Sequence, residues 1–158
     1  MKIAHNAEVT VFVKPDEQRE PIETGLRDLV PITPGIHEEF PLTCTDAEAF
    51  SGSTISILKV TLTKNNQINE FLESLHRKLT EDQKKLLLVQ LATRLDAGCN
   101  FYMRFHKGKW IEERRLWLVD RGYCFHIKIT IAAYPKNQVS AAKVVTTWLT
   151  SQESVKTL

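Results

Sequence analysis

Cys99-Asn100-Phe101-Tyr102-Met103-Arg104-Phe105-His106 is the stretch on which the fold turns. Phe101, Met103 and Phe105 fall on one phase of a two-residue period and Tyr102, Arg104 and His106 on the other, as in a strand with one buried side and one wet side. The flanking sequence supplies partners and a cover. Upstream, Glu8–Val13 alternates around Val9, Val11 and Val13 and reads as a first strand, ended by Lys14-Pro15-Asp16. From about Glu17 to Val30 a helix is expected on Ile22, Leu26 and Leu29, with Pro21 in its first turn and Pro31 and Pro34-Gly35 as its stop. A strand is expected near Glu38–Thr43, and a central strand, buried on much of both faces, over Thr54–Thr63. Asn66–Leu79 has helical spacing, and Thr80 with Gln83 forms a capping box for a helix running to about Asp96, with Gly98 placed to end it.

Downstream, Leu116–Val119 and Tyr123–Ala133 are expected to form a hairpin across Asp120-Arg121-Gly122, with a short turn or helix before it. Gln138–Thr150 should form a last helix, turning Val139, Ala142, Val145 and Leu149 inward. Hairpins late in the chain and helices between the other strands give an α+β two-layer sandwich, helices packed on one face of a mostly antiparallel sheet. With 158 residues to fold, residues 1–151 are expected as a single domain around one core, and 152–158 as a frayed tail.

Several function classes recede on the same reading. No apolar run approaches the roughly 20 residues that span a bilayer. The first residues reach Asn6 and Glu8 without an apolar core, so no signal peptide is expected and a cytoplasmic location follows. Cys44, Cys99 and Cys124 are expected as buried reduced thiols. Cys124 and His126 share a strand face, but the tight pairs of structural zinc sites are missing, so neither metal nor other cofactor is expected. The chain lacks a Walker-type glycine loop, a dinucleotide fingerprint, an H-E-x-x-H and a G-x-S-x-G motif, and Glu112-Glu113 reads as a solvated pair, so it is not expected to be an enzyme.

Charge is more informative. The formal net charge is only +2, yet residues 1 to 55 carry four Lys/Arg against ten Asp/Glu, and the remainder carries 17 against 9. Arg104, Lys107, Lys109, Arg114, Arg115, Arg121 and Lys128 crowd one segment against Glu112, Glu113 and Asp120. Cations along a groove neutralise phosphates, and an interleaved aromatic stacks on an unpaired base. The candidate RNA-contact set is therefore those seven cations with Tyr102, His106 and Trp110, extended by Lys136 after Tyr134-Pro135. The plainer alternative makes Arg104, Lys107 and Arg114 a solvated face salt-bridged to the acidic N-terminal half, with Trp110 plugging the core. Lys84-Lys85 reads as the wet face of its helix.

Three segments also carry a resemblance: Val9-Thr10-Val11-Phe12-Val13-Lys14-Pro15-Asp16-Glu17, Asn100 to Lys107, and Ile127-Lys128-Ile129-Thr130-Ile131-Ala132-Ala133-Tyr134-Pro135-Lys136. On these the chain resembles a family of predicted archaeal RNA-binding proteins proposed as exosome subunits, whose fold is similar to that of the fifth ribosomal large-subunit protein. The resemblance implies a ribosomal-protein-like α+β fold, RNA binding without catalysis, and RNA with exosome or other RNA-processing proteins as partners. A homo-dimer through an exposed strand edge stays open. The rival reading is a protein-interaction adaptor whose acidic half docks on a basic member of an RNA-processing complex, with no direct RNA contact. A third, an RNA-modifying or metal-dependent enzyme, would need polar groups converging in a pocket.

Overall fold

The computed structural model, which describes residues 2–152, draws five strands into one sheet: β1 (Ala4–Val13), β2 (Leu42–Glu48), β3 (Thr54–Leu62), β4 (Asn100–His106) and β5 (Cys124–Ile131). Their order is β2-β3-β1-β5-β4, and every neighbouring pair is antiparallel. The helices are α1 (Arg19–Leu29), α2 (Asn65–Lys78), α3 (Glu81–Val89), α4 (Leu91–Arg94), α5 (Lys107–Glu113) and α6 (Gln138–Thr150). Beyond Gln152 the expected tail lies outside the described residues. No described helix is long and apolar enough to cross a membrane.

Alternation decides which side of the sheet is covered. Val9 and Val11 of β1, Leu58 and Val60 of β3, Met103 and Phe105 of β4, and Ile127 and Ile129 of β5 are all buried. The ladders bring these phases together, with Val9 opposite both Val60 and Ile127, and Met103 also opposite Ile127. The result is one apolar floor. The helices lie on it, burying Ile22 and Leu26 of α1, Ile68, Phe71 and Leu75 of α2, and Val145 and Leu149 of α6. Each such side chain contributes about 1.5–3 kcal/mol when withdrawn from water. The opposite phase, including Thr10, Phe12, Tyr102, Arg104, His126 and Lys128, is left on the uncovered face. The fold is the α+β two-layer arrangement that the alternation called for.

Several local expectations are corrected. The second strand runs over Leu42–Glu48 rather than ending at Thr43, because as an edge strand with its side chains in water it needs no apolar alternation to announce it. β3 has a neighbour on each side but is covered on one face only, leaving Ile57 and Lys59 half-exposed. The capping box forms, Thr80 Oγ1 accepting from the Gln83 N–H at 3.1 Å and Gln83 Oε1 from the Thr80 N–H at 2.9 Å. The helix it opens breaks at Gln90, however, and Leu86 and Val89 are exposed rather than part of a broad buried face. Lys84 is not on a wet face but buried against Glu81 at 3.3 Å. α6 has the expected ends, yet Val139 faces water and Ala141 takes the inward position. Of the three thiols only Cys99 is buried; Cys44 is exposed and Cys124 half-buried.

The largest departure follows β4. Residues 116–119 form no hairpin with β5; Leu118 makes a single bridge to Phe105 on the outer edge of β4. Residues 107–113 form α5, capped by His106, whose Nδ1 accepts from the Lys109 N–H at 3.1 Å. That helix is pinned to α1. Lys107 is 2% exposed, and its Nζ donates to Phe12 O at 2.8 Å and to the two Glu17 carboxylate oxygens at 2.9 and 3.1 Å. Trp110 Nε1 donates to Gly25 O at 2.7 Å, and a Cβ at Gly25 would lie 3.2 Å from Ile111 Cγ1. Arg114 donates twice to Asp28 Oδ2, at 3.0 and 2.7 Å.

Removing one partner of a buried ion pair leaves the other charge stranded. Glu17→Ala should therefore lower stability by about 3 kcal/mol in urea denaturation, and an unchanged midpoint would refute the role given to Lys107. Burial would raise the Glu17 pKa, but the Lys14 N–H and the hydrogen bond and charge of Lys107 outweigh it and hold it low. A carboxyl depressed in the folded state stabilises above its unfolded value, about 4.3, and loses that contribution as pH falls through the folded one. The wild type should accordingly show an acid-side loss of stability that the variant lacks.

Candidate nucleic-acid interface

The uncovered face is built by register. Tyr102 lies opposite Lys128 and Arg104 opposite His126 across β4 and β5, while Glu8 and Thr10 of β1 lie opposite Lys128 and His126. The Tyr102 and His126 rings stand 5.6 Å apart at 33°. Tyr102 does not swing freely: its hydroxyl donates to Asp96 Oδ2 at 2.8 Å, and Asp96 also accepts from the Asn100 N–H at 2.9 Å and its amide at 3.2 Å. The Asn100 backbone N–H, then the Tyr102 hydroxyl and the Asn100 side chain, hold the Asp96 carboxyl low against some burial. Burial and that carboxylate push the Tyr102 phenol up, so it remains a donor at neutral pH.

Beside this pair a groove of about 260 Å³ is lined by Thr10, Phe12, Arg104, Arg121, Cys124 and His126. Phe12 is 51% exposed. It was not singled out from the sequence, although the inward phase of Val11 and Val13 already turns it outward. Among the described residues Arg104, Arg121 and Lys128 have no carboxylate within salt-bridge distance. Burial, then the charge of Arg104 and that of Lys128, lower the His126 pKa against an opposing pull from Glu8. The arrangement is one of cations outnumbering the single facing carboxylate, Glu8, beside aromatic planes, which suits an anion bearing flat apolar groups.

The candidate residues from the sequence do not all gather here. Tyr102, Arg104, Arg121 and Lys128 do. Lys107 and Trp110, at 2% and 1% exposure, point inward, so the expectation that they meet RNA is corrected: one is neutralised by Glu17 and the other satisfied by Gly25. His106 is committed to capping α5 and lies edge-on to Tyr123 at 5.5 Å. Lys109 pairs with Glu113 at 3.2 Å and Arg114 with Asp28, while Arg115 lies over the exposed ring of Trp117 at 5.8 Å. Lys136 is exposed but follows the far end of β5 from the groove. Of the plainer alternative, the salt bridges to the N-terminal half hold for Lys107 and Arg114 and the core position for Trp110, but Lys107 is buried rather than solvated and Arg104 has no such bridge.

The family model described as RNA binding matches residues 6–132, the span from β1 through β5 that builds this face. The chain belongs to that RNA-binding family. It is 26% identical over 154 residues to RNA-binding protein PAB1135 of Pyrococcus abyssi, covering 95% of this chain and 96% of that one. The same fold occurs in AF2318 from Archaeglobus fulgidus, with a TM-score of 0.79 at 24% identity over 93% of this chain and 99% of that one. It occurs again in Mth689, a DUF54 protein from Methanothermobacter thermautotrophicus, with a TM-score of 0.75 at 24% identity over 93% and 98%.

In this family member the crowding of positive charge around His126 is directly measurable. Its imidazole should titrate by NMR below the ordinary value of about 6.5, and Arg104→Ala, which removes a like charge and opens the site to water, should move the midpoint upward. A midpoint unchanged by the substitution would show that Arg104 does not act on the ring.

Proposed function

We propose that this protein binds RNA, without catalysis, on the uncovered face of its sheet. Arg104, Arg121 and Lys128 meet phosphates; Phe12 and the Tyr102–His126 pair offer surfaces for unpaired bases. The observation that carries the reading is the convergence of three cations without carboxylate partners on the one sheet face the helices leave open, beside exposed rings. Membership of the RNA-binding family and the likeness to the RNA-binding protein of Pyrococcus abyssi support it. A place in RNA processing or degradation, beside exosome or other RNA-processing proteins, is supported by the resemblance of the β1, β4 and β5 segments. The adaptor alternative draws on the acids of the N-terminal half, of which Glu17, Glu23, Asp28 and Glu38 are engaged in ion pairs within the fold.

Three phosphate contacts on a single strand predict a slope near −2 in log affinity against log salt. Anisotropy titration of labelled oligouridine should show an affinity loss of roughly 20-fold between about 50 and 200 mM salt. An Arg104→Glu, Arg121→Glu double variant, checked for an unchanged thermal melt, should bind at least about ten-fold more weakly, with a flatter salt response. Wild-type affinity in that variant would refute the sheet face as the site.

A further inference from the structure

We propose a second nucleotide site, separate from the sheet face: a groove of about 490 Å³ lined by Lys78, Thr80, Gln83, Arg114, Arg115 and Trp117 takes one unpaired RNA nucleotide, its base on Trp117 and its phosphate on Lys78 and Arg115. The proposal rests on reading the chain as an RNA binder, but not on the sheet face being where RNA binds.

Trp117 is the one tryptophan in water. Trp110 and Trp148 are 1% and 4% exposed, whereas Trp117 is 47% exposed, with Lys109 Nζ at 5.4 Å and the Arg115 guanidinium at 5.8 Å from its ring. A large apolar plane with cations near it is the chemistry that accepts a stacked base. The charges of the groove divide cleanly. Arg114 is neutralised by Asp28, and Glu113, which also lines the groove, by Lys109. Lys78 and Arg115 have no carboxylate partner among the described residues; the Lys78 ammonium donates to Ser74 Oγ at 2.6 Å and lies 5.5 Å from the Trp110 ring. Partial burial and the charge of Arg77 lower its pKa, against Asp28, so an arriving anion would relieve it.

The walls are fixed before any ligand arrives. Thr80 and Gln83 cap one another at the start of α3, and Gln83 Nε2 donates to Leu116 O at 2.6 Å, holding the backbone just before Trp117. On its other side the segment is fastened to β4: the His106 N–H donates to Trp117 O at 2.8 Å and the Val119 N–H to Arg104 O at 2.9 Å. Trp117 therefore hangs from the edge of the strand that carries Tyr102 and Arg104, within one chain segment of the sheet face. An acidic peptide would use the cations and leave the indole plane in water; a nucleotide uses both.

Because the other two tryptophans are buried, quenching of intrinsic fluorescence by oligouridine reports on Trp117. Wild type should quench on titration, Trp117→Phe should bind without that quench, and Trp117→Ala and a Lys78→Glu, Arg115→Glu variant should each bind on the order of ten-fold more weakly. Unaltered affinity in both groove variants overturns the site, as does equal quenching by polyglutamate, which would mark an acidic-peptide groove. If the groove variants lose affinity while Arg104→Glu, Arg121→Glu binds like wild type, the sheet-face reading fails and this one stands. If RNA does not bind wild type at all, both fail.

Discussion

The ammonium of Lys107, withdrawn from water between the end of β1 and the turn that leads into α1, sets the geometry of everything that follows β4. A buried charge costs several kcal/mol unless it is paired and hydrogen-bonded, so the chain can close here only when Glu17 and the Phe12 carbonyl are brought to it together. That requirement fixes where α1 lies against α5, and the two remaining fastenings, Trp110 to Gly25 and Arg114 to Asp28, repeat along the same contact. The close approach is possible because residue 25 has no side chain. With α5 placed, the segment after it has one course left, back along the outer edge of β4, where it covers exposed strand edge and leaves Trp117 outside.

This arrangement explains why a dense run of basic residues is a poor guide to a basic surface. Lys107, Lys109 and Arg114 each have a carboxylate within 3.2 Å, two of them from the acidic first third of the chain. The charge asymmetry visible in the sequence is thus partly an internal pairing between the halves. What remains for a ligand is the smaller set that strand alternation, rather than charge density, turns outward.

Alternation was legible wherever one face was dry. Phe101, Met103 and Phe105 against Tyr102, Arg104 and His106 gave the sides of β4 correctly, and the spacing of α6 gave its bounds correctly although it turned Val139, which faces water, inward. Legibility ended where burial no longer shaped the sequence or where it came from distant partners. β2 left little apolar signal because its side chains are mostly in water. α5 has a glycine in its first turn and a histidine cap, neither of them a usual starting signal, and its stability comes from Glu17, Gly25 and Asp28, about 80 to 90 residues away. Phe12 could have been found by extending the β1 alternation one step. Trp117 could not, since nothing in Arg114–Leu118 says which of its large residues stays wet.

The cations left over are held at some expense to the fold. Arg104, His126 and Lys128 sit on adjacent positions of two strands, where burial and then the two permanent charges discourage protonation of the ring between them, and Lys78 is partly buried beside Arg77. Like charges at neighbouring positions destabilise by a few tenths to about 1 kcal/mol, and no ion pair among the described residues offsets that cost at Arg104 or at Lys78. A cost left without compensation inside the fold points to compensation from outside it. In both places the missing partner is an anion, and in both an aromatic plane stands beside the gap. A polyanion with stacking bases satisfies the two deficits together.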